Sequence, residues 1–159
     1  MTTESMPKKK SNTMWYVIAA VVIVVTVIGV VVYVALPKGT TPTNATPMIL
    51  YEGEVSTSSY GFGTTSSLTS PGPPITLTSG VTYKMTVNNV GTMAHNWAIV
   101  NAKDTNAAVQ FSAKINTITQ GSSGSVTFTA GSAGTYYYIC QIPGHVALGM
   151  WGTVTVVNP

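Results

Sequence analysis

The stretch 136–151 constrains the structure of this chain more than any other part of the sequence. Three tyrosines and an isoleucine lead into Cys140, the only cysteine, and His145 and Met150 follow at equal intervals of five positions. The aromatic run predicts an extended strand that ends at the cysteine. Pro143-Gly144 predicts a tight turn between the cysteine and the histidine. The sequence therefore predicts a strand, a short loop that carries all three side chains, and a return strand.

A thiolate, an imidazole and a thioether in one loop are the donors of a metal site. Sulfur ligands hold Cu(I), imidazole suits copper, and two histidines with one cysteine and a weak axial methionine form the blue-copper arrangement. The chain has only one other histidine, His95. Taken singly, such residues are ordinarily core or turn residues. Together, His95, Cys140, His145 and Met150 predict a site for one type 1 copper ion, and Asn96 is expected to form a hydrogen bond near the thiolate.

This ligand pattern resembles that of the cupredoxins, the small blue copper proteins. The spacing of four residues on each side of the loop histidine is similar to that in rusticyanin and sulfocyanin. The apolar N-terminal segment and a Ser/Thr/Gly-rich insertion are similar to sulfocyanin, and the stretch 60–66 resembles a sulfocyanin motif but lacks its asparagines. The resemblance implies that the domain folds as a Greek-key β-sandwich. It also implies that the protein carries electrons in an archaeal respiratory chain, with an upstream electron donor and a terminal oxidase or cytochrome as partners.

The resemblance also implies where electrons leave the domain. In cupredoxins, an exposed histidine ligand lies within an apolar patch that docks onto redox partners. In this chain that ligand would be His145. The apolar residues expected around it are Pro143, Val146, Ala147 and Leu148, joined by Met93 and Ala94.

Residues 14–36 form a nearly continuous apolar run with Trp15, Tyr16 and Tyr33 near its ends. At a rise of about 1.5 Å per residue, a helix of this length covers a hydrocarbon core of about 30 Å. The lysines within residues 1–13 place the N-terminus in the cytoplasm and the rest of the chain outside. A cleaved signal peptide is the alternative, but its apolar region spans only about 7–15 residues. We therefore predict a single-pass protein of the cell membrane, in contact with the lipid bilayer, with an extracellular copper domain.

Residues 37–47 are rich in Thr, Pro and Gly and predict a linker, whereas residues 48–159 predict one all-β, cupredoxin-like domain. Short β-branched or alternating runs, separated by Gly, Pro, Asn and Ser, are typical of a β-sandwich. The predicted strands are 48–55, 75–77, 83–88, 97–101, 124–129, 134–140 and 152–157. Residues 56–74 are too polar and Gly-rich for a core. Residues 102–121 have room for a short helix or a loop, and the sequence does not decide between them.

Charged residues make up only 7% of the chain, far below the usual quarter. Because carboxylates protonate near pH 4, ion pairs that depend on them are lost in acid, and a nearly uncharged surface avoids that loss. The composition therefore indicates a domain that faces an acidic medium, as in an acidophile. A glycosylated or simply Thr-rich exported domain is the alternative. The net charge of +3 reflects a lysine run before the apolar segment and does not indicate nucleic-acid binding.

The composition also excludes most catalytic sites. Multicopper oxidases and copper nitrite reductases need many more histidines than the 2 present, and a binuclear copper centre needs a pair of bridging cysteines. The remaining residues supply no catalytic triad, paired acids or phosphate-binding loop, so we predict no enzyme activity and no small-molecule substrate. Metal ligation explains an unpaired Cys140 outside the cell. One copper ion with fixed ligands suits single-electron transfer; the alternatives are a copper chaperone or sensor, or a metal-stabilised binding module.

Overall fold

The structure is a computed structural model that describes residues 44–159. Within this range the regular elements are strands. In chain order they are β1 (Thr46–Ser56), β2 (Ser59–Gly63), β3 (Ile75–Thr78), β4 (Thr82–Asn89), β5 (His95–Val100), β6 (Val109–Ile118), β7 (Ser123–Thr129), β8 (Gly134–Ile139) and β9 (Trp151–Val157).

The strands form two sheets, with the order β2-β1-β4-β7 in one and β3-β9-β8-β5-β6 in the other. β1 pairs in parallel with β4, and β3 pairs in parallel with β9. The other pairs are antiparallel. The chain changes sheet after β2, β3, β4, β6 and β7, so neither sheet is built from consecutive strands alone. The predicted all-β sandwich is confirmed.

The main core lies between the two sheets. Side chains alternate between the two faces of a strand, and in β4 the buried apolar residues are Tyr83, Met85 and Val87. The largest fully buried side chains are Trp97, Tyr138 and Phe62. Each such aromatic or aliphatic side chain contributes about 1.5–3 kcal/mol when it is removed from water. The cysteine and methionine of the predicted metal site belong to the same buried cluster.

A second, smaller cluster covers the outer face of β5 and β8. Its buried members are Ala98, Val100 and Ile139. The loop 101–108 lies over this face, and the side-chain amide of Gln141 donates hydrogen bonds to two carbonyl oxygens of that loop, at 3.2 and 3.3 Å. The ammonium of Lys103 stands 4.0 Å from the ring centre of Trp151. Because both faces of β5 are covered, its residues 97–100 are buried without alternation.

The expectation that residues 56–74 contribute nothing to the core is wrong. This segment contains β2, and Phe62 in the middle of β2 is 0% exposed. Phe62 pairs with Glu52 across the sheet and packs edge-on against Tyr138, with ring centres 5.0 Å apart. Gly61 and Gly63 on either side allow backbone carbonyls of residues 65–69 to approach closely. The segment is polar on average, so its composition gave no indication that Phe62, between two glycines, is a core residue.

Residues 102–121, where the sequence allowed a short helix or a loop, contain a loop up to residue 108 and then β6. Phe111 and Ser112 have positive φ angles of 58° and 54°, and the pairing of β5 with β6 shifts register twice. Such irregularities insert extra residues into a strand and interrupt its alternation. The buried residues of β6 are therefore spaced unevenly, and no period of two was visible in the sequence.

β1 begins at Thr46, two residues inside the predicted linker 37–47. The predicted N-terminal segment 1–13, membrane helix 14–36 and most of the linker lie outside the residues that the structure describes. Between residues 44 and 159, no helix is long and apolar enough to cross a membrane.

Candidate metal centre

The four predicted ligands lie at one end of the sandwich, where β5, β8 and β9 begin or end. His95 is the first residue of β5, and Cys140 directly follows β8. Met150 directly precedes β9, and His145 lies in the loop between β8 and β9. Since β8 and β9 are antiparallel neighbours paired at Ile139 and Trp151, they bring the two ends of the loop together.

Backbone hydrogen bonds close this loop. The amide of Cys140 donates to the carbonyl of Met150 at 3.1 Å, and the amide of Met150 donates to the carbonyl of His145 at 3.0 Å. The amide of His145 donates to the carbonyl of Ile142 at 3.1 Å, across Pro143 and Gly144. Gly144 has a φ of 87°, so this is the type II turn that favours Pro followed by Gly. The turn predicted at this dipeptide is therefore present.

The donor atoms of three predicted ligands converge. The Nδ1 atoms of His95 and His145 are 3.1 Å apart, and the Sγ of Cys140 is 3.4 Å from Nδ1 of His145. One ligand atom from each of these residues lies within 4.8 Å of the others. His95 and Cys140 are 0% exposed and His145 is 5% exposed. Met150 is fully buried, and its backbone forms hydrogen bonds with the backbones of Cys140 and His145.

These residues fit a copper ion. Metal–nitrogen and metal–sulfur bonds of about 2.0 Å and about 2.3 Å in a near-tetrahedral site separate the ligand atoms by about 3.3–3.5 Å. The observed separations of 3.1 and 3.4 Å are close to those values. Two imidazoles and a thiolate, with a methionine at the same end of the fold, are the donor set of a blue-copper site. The ligand set His95, Cys140, His145 and Met150 stays a prediction, and the geometry is consistent with it.

Asn96 connects β5 to the metal-binding loop. Its backbone amide donates to the Sγ of Cys140 at 3.4 Å, and its side-chain oxygen accepts a hydrogen bond from the amide of Gln141 at 2.6 Å. The expected hydrogen bond near the thiolate is therefore present. The two contacts fix the position of the sulfur relative to β5.

Burial controls the protonation of the candidate ligands. Burial raises the pKa of the Cys140 thiol to about 11. The backbone amides of Ile142 and Asn96 lower this pKa, and the charge of Glu52 raises it. Burial also lowers the pKa of His95 and of His145, and the charge of His145 lowers the pKa of His95 further. Neutral imidazoles are ready to bind a metal, whereas the thiol must lose its proton to do so.

Sequence reasoning missed two residues beside the site. The ring of Tyr60 lies 4.4 Å from that of His145 and 5.7 Å from that of His95, centre to centre. Its hydroxyl donates to the sulfur of Met93 at 3.3 Å. Tyr60 was missed because it belongs to the segment regarded as too polar for the core. The second residue, Glu54, contacts the loop before β5 and lies near His95.

Exposed apolar side chains surround the site at the surface. We call this set the apolar rim; it comprises Met93, Ala94, Pro143, Ala147 and Leu148. Met93 is 46% and Leu148 is 38% exposed, which is high for large apolar side chains. Val146 was expected in the same patch, but it packs instead against the outer-face cluster. The predicted patch is present except for this residue. The expectation that His145 is exposed within the patch is wrong, because its side chain is only 5% exposed.

Comparisons with known proteins identify the family. The sequence profile of the family described as copper binding proteins, plastocyanin/azurin family, matches residues 64–157. The chain therefore belongs to this family of blue copper proteins, the cupredoxins.

Particular relatives agree with this assignment. Auracyanin-B of Chloroflexus aurantiacus is 34% identical over 140 residues, which cover 76% of this chain and 57% of that protein. Rusticyanin of Acidithiobacillus ferrooxidans is 71% identical over 24 residues, which cover 15% of this chain and 13% of rusticyanin. The chain thus spans little more than half of the first relative and a small part of the second.

Solved structures confirm the fold. A reduced auracyanin from Roseiflexus castenholzii aligns with a TM-score of 0.52 and 24% identity, over 72% of this chain and 99% of that one. Two multicopper oxidases and a blue copper oxidase from Nitrosomonas europaea share the fold at 18–21% identity. At such low identity these likenesses establish the architecture only.

Proposed function

We propose that this chain is a single-electron carrier in which His95, Cys140, His145 and Met150 hold one copper ion. The observation that carries the proposal is the convergence of two imidazole nitrogens and one thiol sulfur within 4.8 Å, all buried. Copper bound there would supply one reversible electron, because it alternates between Cu(I) and Cu(II).

The role of the protein is to keep the ligands in place in both oxidation states. The loop is closed by its own backbone hydrogen bonds, and Asn96 ties it to β5. Ligand atoms that are already together before metal binding have little need to move when the charge of the site changes. The surrounding core excludes water, and apolar shielding of this kind raises a reduction potential. Such a closed, buried site also disfavours the alternative of a chaperone that releases its metal.

We propose that electrons enter and leave through the apolar rim. His145 lies just beneath it, and Met93 and Leu148 offer apolar contact area without charge. An uncharged docking face suits short-lived complexes that do not depend on ionic strength. The proposed partners are an upstream donor and a terminal oxidase or cytochrome. Neither a small-molecule substrate nor a nucleic acid has a role in this proposal.

We also propose that the chain is anchored in the cell membrane and that it belongs to the sulfocyanin-like subgroup of cupredoxins. Residues 14–36 would anchor the chain in the cell membrane, residues 1–13 would lie in the cytoplasm, and the linker 37–47 would hold the copper domain outside. This arrangement, with the ligand spacing and the Ser/Thr/Gly-rich insertion, supports a sulfocyanin-like carrier of an archaeal respiratory chain, whereas segment 60–66 departs from the sulfocyanin motif by lacking its asparagines. The low content of charged residues, 7%, supports an acidic external medium. Protease treatment of intact cells tests the orientation, since the copper domain should be removed and residues 1–13 protected.

The electron-carrier proposal is tested on the full chain, purified in detergent and loaded with copper. We expect an intense visible charge-transfer band and a reversible one-electron wave by voltammetry. Cys140→Ser removes the thiolate and should abolish the band, whereas Ser112→Ala, which removes an exposed hydroxyl from β6, should leave it unchanged. A colourless copper complex, or a coloured one with no reversible wave, would contradict the proposal.

A further inference from the structure

Glu54 holds the loop that leads into β5. Its carboxylate accepts hydrogen bonds from the backbone amides of Thr92, at 2.8 Å, and Met93, at 2.9 Å. It also accepts one from the hydroxyl of Thr92 at 3.3 Å. Hydrogen bonds donated to a carboxylate favour its ionised form. The carboxylate is therefore a fixed negative charge. It is bound to Thr92 and Met93, which shortly precede the candidate ligand His95 in the chain.

The same carboxylate faces the side of His95 that points away from the metal-binding atoms. Nδ1 of His95 lies 3.1 Å from Nδ1 of His145 and is the donor directed into the site. A neutral imidazole whose Nδ1 binds a metal carries its proton on Nε2. Nε2 of His95 is buried and has no hydrogen-bond partner among the described residues. Oε1 of Glu54 lies 3.7 Å from it, too long for a hydrogen bond but within range of a strong charge interaction.

We propose that Glu54 is a positioning residue for His95: it fixes the imidazole with Nδ1 toward Cys140 and His145, and it lowers the reduction potential of the site. This inference rests on the proposed copper function. A carboxylate on the remote nitrogen of a histidine ligand fixes the tautomer and the ring orientation and makes the ligand more basic.

Close packing leaves the carboxylate little freedom. A Cβ added to Gly91 would collide with the Glu54 carboxylate and would stand 2.8 Å from the Cα of Gly53. The side-chain amide of Asn89 donates to the carbonyl of Met93 at 2.7 Å and holds the loop from its other side. The position of Glu54 is thus determined by two glycines and by hydrogen bonds on both sides of the loop.

Oε1 of Glu54 lies 3.7 Å from Nε2 of His95, so the charge of Glu54 acts directly on a ligand of the site. A negative charge at this place favours the more positive, oxidised state of the site. An opposite charge within about 4–6 Å changes an ionisation constant about 10-fold to 1,000-fold. Glu54 is partly exposed, so we expect the lower end of this range: removal of its charge should favour the reduced state about tenfold, which is about 59 mV for one electron.

The experiment compares Glu54→Gln with Asp104→Asn in the copper-loaded full chain in detergent, by spectroelectrochemical titration at pH 7. Asp104 is a matched control because it is an exposed acid that also accepts a backbone amide in a loop, at 2.7 Å from Asn106. We expect Glu54→Gln to raise the potential by about 59 mV and Asp104→Asn to leave it unchanged. Equal potentials in the two variants would overturn the proposal.

Two further measurements separate positioning from a merely structural role. Glu54→Asp keeps the charge and should retain a potential closer to that of the unsubstituted protein than Glu54→Gln does. Nitrogen NMR of the unsubstituted Cu(I) protein should show His95 protonated at Nε2, and a proton on Nδ1 instead would refute the inference. Absence of the thiolate band from the unsubstituted protein would refute the copper function itself, whereas a band with an unshifted Glu54→Gln potential refutes only the role of Glu54.

Discussion

Glu52 makes the stability of this domain depend on pH in an unusual direction. The side chain is 0% exposed, on the core-facing side of β1, and neither carboxylate oxygen has a hydrogen-bond partner among the described residues. Its pairing neighbours on the adjacent strands are Phe62 and Asn89. Burial raises the pKa of Glu52 from 4.5 to about 8, because the ionised form is disfavoured away from water.

The sign of the effect follows from proton binding. Between pH 4.5 and about 8, the folded domain retains a proton on Glu52 that the unfolded chain has already released. The free energy of unfolding therefore falls as pH rises, by about 1.36 kcal/mol per pH unit. The contribution is fully present below pH 4.5 and is lost as pH rises through about 8. Across this window the loss amounts to about 5 kcal/mol, a large part of the stability of a typical domain.

The assay is guanidinium unfolding of the metal-free domain, residues 42–159, followed by tryptophan fluorescence between pH 4 and pH 8. Glu52→Gln is the matched variant, since the neutral amide has the shape of the protonated acid and cannot ionise. At pH 4 the two proteins should be about equally stable. At pH 8 the variant should be more stable by about 5 kcal/mol. A stability difference that is the same at every pH would refute this reasoning.

Three other substitutions test separate parts of the structure by the same unfolding assay. Phe62→Ala removes a fully buried ring and should cost about 3–5 kcal/mol; a cost under about 1 kcal/mol would mean that β2 does not contribute to the core. Gly144→Ala should cost about 1–2 kcal/mol through its φ of 87° alone, since nothing lies within 4 Å of the added methyl group. Asn96→Ala leaves the amide of Gln141 without its acceptor and should cost about 1 kcal/mol and also shift the visible band of the copper-loaded chain. An unshifted band would argue against Asn96 as an anchor of the thiolate.

The candidate ligands were predictable because each is rare in this chain. With 1 cysteine and 2 histidines, spacing and donor chemistry alone named Cys140, His145 and His95. Regular strands such as β4 and β9 were visible for a similar reason, because one of their faces is buried and the other is exposed. These features are local in sequence and do not depend on how distant segments pack.

The missed features depend on distant contacts or on irregular backbone. β2 is short and contains two glycines around Phe62, so its role in the core follows only from the strands against which it packs. β6 is interrupted by two residues with positive φ, which removed its alternation. Glu54 and Tyr60 are far from the ligands along the chain, and only the pairing of β1 with β2 and β4 brings them to the metal-binding end.

The central claim is that one thiolate and two imidazoles of this chain bind a single copper ion. X-ray absorption at the copper edge, on the full chain loaded with one equivalent of copper, tests it most directly. We expect one short sulfur scatterer and two imidazole nitrogens in both oxidation states, with the short sulfur lost in Cys140→Ser. A copper environment of nitrogen and oxygen alone, unchanged by that substitution, would contradict it.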